Sequence, residues 1–192
     1  GYDLATANPN DEIIIADIGL QQATRTAKAI GPNVAPLRLD VNIEKDLIRA
    51  LDGSNAVISA VSYSVNLQIT KAAIQAGVHV CDMGGNDDVV KKQVSLHSDA
   101  KQKGITIVPN CGLAPGLINI LAMEGAKEFD ELDSIHLRVG GLPQHPRPPL
   151  NYQIVFSVEG LINEYVEKAS VIRNGTLMQV DSLSDVDRKS TR

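Results

Sequence analysis

Glu12-Ile13-Ile14-Ile15-Ala16-Asp17 is the stretch on which the fold turns. Four apolar residues in a row, closed by an acid, lack the alternation of a half-exposed strand and predict a parallel strand covered on both faces. Outward from it the same grammar repeats. A helix is predicted over 21–30, stopped by Gly31-Pro32, then a strand over 34–41, a helix over 43–51 and a second apolar run, Ala56-Val57-Ile58-Ser59-Ala60-Val61. A helix over 67–76 closes on Gly77, Val78-His79-Val80-Cys81-Asp82 reads as a strand, 87–103 as one helix closed by Gly104, and Ile105-Thr106-Ile107-Val108 as a further strand. That strand runs into Asn110-Cys111-Gly112-Leu113-Ala114-Pro115-Gly116, where Pro115 suits the start of a helix over 116–125 because a missing N–H is harmless there. Strands and helices alternating at this spacing predict βαβ units in a doubly wound parallel sheet.

Beyond residue 130 the pattern changes. Residues 134–139 and 152–158 read as strands around a proline- and glycine-rich stretch, and 160–168 reads as a helix. Val171-Ile172-Arg173-Asn174-Gly175-Thr176-Leu177-Met178 sets Asn-Gly between apolar pairs, the signal of a two-residue hairpin. The predicted organisation is an α/β domain over 1–130 followed by the start of an α+β domain over 131–192. The opening Gly1-Tyr2-Asp3-Leu4-Ala5 reads as the middle of a helix and 181–192 as an uncapped polar stretch, so a fragment is expected.

The 192 residues are 43% hydrophobic and 21% charged with a net charge of -5, a globular composition that excludes a disordered tail or a disulfide scaffold. Four tyrosines, two phenylalanines and no tryptophan, without a basic block, leave neither footprint nor stacking surface for nucleic acid. No signal-peptide pattern and no run of about 18 apolar residues is present, so the chain reads as cytoplasmic, with no membrane partner. No G-x-x-x-x-G-K-[ST] occurs, which excludes a P-loop protein. Tyr165 and Lys168 stand three apart rather than four, which excludes the short-chain dehydrogenase pair.

Asp17 carries the strongest local signal. An acid closing the second strand of a dinucleotide-binding (Rossmann) fold hydrogen-bonds the adenosine ribose about 20 residues after a glycine fingerprint. Here the first strand and that fingerprint are missing. An Asp also favours NAD, because its charge repels a 2′-phosphate. Ligands of such sheets bind outside the carboxyl ends of the strands, so the polar, glycine-bearing tips 59–63, 82–85 and 110–116 form a predicted rim. Cys81 and Cys111 end neighbouring strands near His79, but their count and spacing fit no metal site; packing or lining of the cleft is the better account. No metal is expected.

At Asn110-Cys111-Gly112-Leu113-Ala114-Pro115-Gly116, followed by Gly140-Gly141-Leu142-Pro143 and Pro149-Leu150-Asn151-Tyr152, the sequence resembles the saccharopine dehydrogenase superfamily. Residues 140–175, with Phe156-Ser157-Val158-Glu159-Gly160-Leu161-Ile162-Asn163-Glu164-Tyr165, look most like lysine 6-dehydrogenases. The resemblance implies an NAD-dependent enzyme, with NADP the alternative, homodimeric when full length and acting on an amino acid. It implies that Asp17 holds the adenosine ribose, Asp40 and Val41 border the adenine, and Ser59, Ala60, Val61 and Ser62 line the cofactor cleft. Met83, Gly84, Asn110, Cys111 and Gly112 would approach the nicotinamide, and Tyr63, Asp82 and Cys111 would line the substrate pocket; Arg138, with Arg147, is available as a substrate contact should the substrate carry an added carboxylate. The implied reaction oxidises the ε-amine of L-lysine. Hydride loss needs that amine neutral, at a cost of about 4.6 kcal/mol at pH 7 for a pKa near 10.4, so a base or a desolvated pocket is expected, with Asp82 the first candidate base and His145 the second. Saccharopine or carboxynorspermidine oxidation, and a catalytically inert nucleotide-binding module, are the alternatives. Without its first strand, the domain is expected to bind NAD weakly and to be marginally stable.

Overall fold

The computed structural model describes residues 1–140, 143–149, 151, 153, 158–182 and 184. The chain divides into two compact units, Gly1–Leu117 and Ile118–Arg192, a division upstream of the change of pattern expected at residue 130.

The first unit runs α1 (Tyr2–Ala7), β1 (Ile13–Asp17), α2 (Leu20–Ile30), β2 (Val34–Arg38), α3 (Glu44–Leu51), β3 (Ala56–Ser59), a 3-10 turn (Tyr63–Val65), α4 (Asn66–Ala76), β4 (His79–Asp82), α5 (Asp87–Ser95), α6 (His97–Lys103) and β5 (Ile107–Val108). Every strand pair in it is parallel, and the expected Rossmann-type α/β class is borne out. One continuous sheet is not what forms, however. Among the described residues there are two sheets, β1-β2 and β3-β4-β5. In the order 3-2-1-4-5-6, β2-β1 take positions 3-2 and β3-β4-β5 take 4-5-6, and no described strand stands at position 1 between them.

Coverage of both strand faces is corrected too. Ile13 and Ile15 pack against Ala5, Ala27, Val34 and Ile30, whereas Ile14 on the opposite face is 52% exposed. The main core joins Leu47 and Leu51 of α3, Ile69, Ala72 and Ala73 of α4, and Val78 and Val80 at β4. Leu39 and Val41 pack against this core while Val34 belongs to the first cluster, so the run 34–41 contributes to both.

Glycine ends α4 and α6 as the sequence predicts: Gly77 and Gly104 adopt φ 76° and 67°, the left-handed cap that a Cβ disfavours. The single helix expected over 87–103 breaks at Leu96, where ψ turns to 10°. The Ser95 hydroxyl donates to the Lys92 carbonyl at 2.7 Å, a local bond that competes with the helical ladder.

In the second unit α7 (Leu117–Ala126) begins at the unit boundary and α8 (Val158–Val166) precedes the antiparallel hairpin β6 (Ala169–Arg173) and β7 (Thr176–Val180). Asn174 and Gly175 have φ 50° and 75°, as Asn-Gly in a type I′ turn requires. The strand expected over 134–139 is irregular: Ile135, Leu137 and Val139 alternate correctly but are all exposed, and a strand needs a pairing edge as well as a pattern. Most of the strand expected over 152–158 lies outside the described residues, and Val158 opens α8 instead.

Candidate functional site

The predicted site residues of the first unit lie at the carboxyl ends of its parallel strands. At the tip of β1, the half-buried Asp17 accepts the Gly19 N–H on Oδ1 at 2.7 Å, and its cross-strand neighbour is Arg38. Beyond β2, Asp40 Oδ1 accepts the backbone N–H and Nδ2 of Asn42 at 3.0 and 2.9 Å. Those bonds, aided by the Arg38 charge, hold the Asp40 carboxyl below the usual value of 3.8. The Val41 carbonyl accepts Gln68 Nε2 at 2.6 Å, which ties this tip to α4.

The other three tips meet closely, the second and third of them through their backbones. A Cβ on Gly85, φ 124°, would stand 3.0 Å from Tyr63 Cβ; one on Gly84, φ 71°, would fall on the Asn110 side chain and 3.0 Å from its Cα. A Cβ on Gly112 would lie 2.8 Å from the Met83 carbonyl oxygen, and Cys111 N–H donates to the Asp82 carbonyl at 2.7 Å. Glycine is required where main chains approach this closely. The loop from Asn110 then folds on itself: Gly116, φ 131°, abuts the backbone of Cys111 and Gly112, and Leu117 N–H donates to the Gly112 carbonyl at 2.9 Å. Around this rim Ala60, Val61, Ser62 and Met83 are exposed. Burial, and next the neighbouring Cys111 thiol, push the Cys81 thiol up to about 11.

Behind the rim runs a set of buried polar residues: Ser59, Asn66, Thr70, Asp82 and Gln93. Ser59 Oγ donates to Asn66 Oδ1 at 2.7 Å, Thr70 Oγ1 donates to the Asn66 carbonyl at 2.8 Å, and Gln93 Nε2 donates to Thr70 Oγ1 at 2.8 Å and to Asp82 Oδ2 at 2.6 Å. Asp82 Oδ1 accepts the N–H groups of Gly84 at 2.7 Å and Asn110 at 3.3 Å. Asn86 caps α5 by accepting the Val89 N–H at 3.1 Å, which sets the helix that carries Gln93. Sequence reasoning missed Asn66, Gln68, Thr70 and Gln93. A signal existed for one of them: Gln93 stands four and three residues after Val89 and Val90, on the stripe a helix turns inward.

A Rossmann-type unit with a glycine-built rim at the carboxyl ends of its strands defines the dinucleotide-binding class. Residues 2–108 match the family model described as the saccharopine dehydrogenase NADP binding domain, and 112–191 match that of the saccharopine dehydrogenase C-terminal domain. The chain belongs to the saccharopine dehydrogenase family. It is 29% identical over 156 residues to saccharopine dehydrogenase [NADP(+), L-glutamate-forming] of Schizosaccharomyces pombe, covering 78% of this chain and 34% of that protein. It is 28% identical over 175 residues to α-aminoadipic semialdehyde synthase of Arabidopsis thaliana, covering 88% of this chain and 16% of the relative. The solved apo saccharopine dehydrogenase (L-Glu forming) of Saccharomyces cerevisiae superposes with a TM-score of 0.64 at 23% identity, covering 94% of this chain and 41% of that one, a likeness of fold. The chain thus spans well under half the length of these relatives.

A nicotinamide dinucleotide, NAD or NADP, is the cofactor class of this family's binding domain, and the residues present fit one: the rim stands at the carboxyl ends of parallel strands, where such ligands bind, and among the described residues Asp17 Oδ2 takes no other bond. Arg138 and His145 belong to the second unit, where both are exposed. Among the described residues no helix is long and apolar enough to cross a membrane, and no cluster of three or more His, Cys, Asp or Glu could hold a metal ion.

Proposed function

We propose that this protein is a nicotinamide-dependent oxidoreductase acting on the carbon–nitrogen bond of an amino acid, and that it oxidises the ε-amine of L-lysine. The observation that carries this reading is the rim itself: three neighbouring strand tips, 59–63, 82–85 and 110–112, gathered at the carboxyl side of a parallel sheet, where the ligands of such sheets bind. The bound cofactor supplies a hydride acceptor. Asp17 would hold the adenosine ribose, Asp40 and Val41 would border the adenine, and Ser59, Ala60, Val61 and Ser62 would line the cleft toward Met83, Gly84, Asn110, Cys111 and Gly112. Tyr63, Cys111 and Arg138 are the proposed substrate contacts, and His145 is the proposed acceptor of a proton from the ammonium form.

A second reading has its own support. The relatives named above are saccharopine dehydrogenases and α-aminoadipic semialdehyde synthases, which favours a secondary amine with an added carboxylate. NADP in place of NAD is favoured by Arg38, in register beside Asp17, since an arginine at this point accommodates a 2′-phosphate.

Following absorbance at 340 nm while the purified protein meets NAD or NADP with L-lysine or saccharopine tests both. Reduction of NAD with lysine is the expected result. Reduction with saccharopine alone assigns the secondary amine, and dinucleotide binding without reduction by either amine leaves the inert module.

A further inference from the structure

We propose that Asp82 is a positioning residue, the end of a buried polar chain that sets the three strand tips of the rim, and not the group that takes a proton from substrate; the proposal rests on the dinucleotide reading of that rim. A general base must come within about 3 Å of the proton it abstracts, or one water further. Asp82 is 1% exposed and turns no oxygen outward. Oδ1 binds the N–H groups of Gly84 and Asn110, which flank the two turns expected to approach the nicotinamide, and Oδ2 binds Gln93. Gln93 continues through Thr70 and Asn66 to Ser59, at the end of β3. One chain of bonds thus runs from the first tip through α4 and α5 to the second tip and the start of the third.

Its members other than Asp82 do not titrate, so the chain transmits position and not protons. A carboxylate is the acceptor that suits its end, because it offers lone pairs to three donors and charge-assisted bonds are the strong ones. Every buried polar side chain of the set is bonded into it, and bonds of this kind in a buried setting hold the groups they join in place. Asp82 and Thr70 both accept from Gln93 Nε2, while Gln93 Oε1 is buried without a partner among the described residues.

Amide hydrogen exchange on this chain and kinetics on the purified protein test the proposal. In Asp82→Ala the Gly84 and Asn110 amides are expected to exchange about tenfold faster, and in Asp82→Asn, which keeps an acceptor oxygen, less than about threefold faster. Gln93→Leu, which removes no charge, is expected to raise the dinucleotide KM several-fold alongside Asp82→Asn, with both limbs of the pH profile of kcat in place. Unchanged protection of both amides in Asp82→Ala overturns the proposal. So does a loss of about a thousandfold in kcat with a vanished limb in Asp82→Asn while Gln93→Leu behaves as wild type. Should Asp82→Ala fail to fold, Asp82→Asn and Gln93→Leu decide it. If the wild type reduces neither dinucleotide with any amine, the functional reading falls, and the exchange measurements still decide whether Asp82 positions the tips.

Discussion

At the tip of β1 and at the tip of β4, an aspartate accepts on Oδ1 the N–H of a glycine two residues further on, at 2.7 Å in both. The local chemistry is the same Asp-x-Gly turn. The surroundings are not. Asp17 is half-buried, with one oxygen uncommitted among the described residues, whereas α5 lays Gln93 over Asp82 and the loop after β5 adds a second N–H to it. A strand-end carboxylate is therefore a ligand contact or an internal strut according to what packs on it, and three residues of sequence do not distinguish the two.

Substitutions can break that contrast. The largest expected effect is Asp82→Ala, which takes the shared acceptor from one buried and two half-buried donors and should cost about 3 kcal/mol in urea melts, while Asp17→Ala should cost less than about 0.5 kcal/mol. Equal costs would erase the difference between the tips. Gly84→Ala should follow at about 2 kcal/mol, since φ is 71° and the Asn110 backbone stands 3.0 Å from the new carbon; Gly19→Ala, with φ -96° and nothing nearer than the Asp17 carboxylate at 3.4 Å, should be neutral within about 0.5 kcal/mol. Asp17→Ala should instead weaken dinucleotide binding about tenfold in titration calorimetry. Cys81, beside Asp82, gives the smallest test. Because burial raises its value to about 11, it stays a thiol through pH 8, and mass spectrometry should find it alkylated about tenfold more slowly than an exposed cysteine, the rate still climbing as pH rises toward 11.

Much of the first unit could be read directly. Apolar runs over 12–17, 56–61 and 78–82 marked three strands, and Gly77 and Gly104 marked two helix ends, because period and punctuation are local properties. The positions of the rim were legible for the same reason, as strand ends with glycine. What was not legible depends on partners distant in sequence. The break between the two sheets depends on which edges pair, the irregular 134–139 on whether an edge pairs with it, and the role of Asp82 on Gln93, eleven residues away on another element. The helix break at Leu96 escaped because Ser95 can point to water or bend back to the Lys92 carbonyl, and sequence does not choose.

The run 34–41, which lends Val34 to one apolar cluster and Leu39 and Val41 to the other, has a thermodynamic consequence. Two sheets that share no hydrogen bond could melt one after the other. A segment that must leave both clusters at once makes partial melting costly, and the Gln68 bond to the Val41 carbonyl fastens its far end. Residues 1–117 should therefore unfold in one cooperative step, with probes on β1 and on β4 reporting the same midpoint.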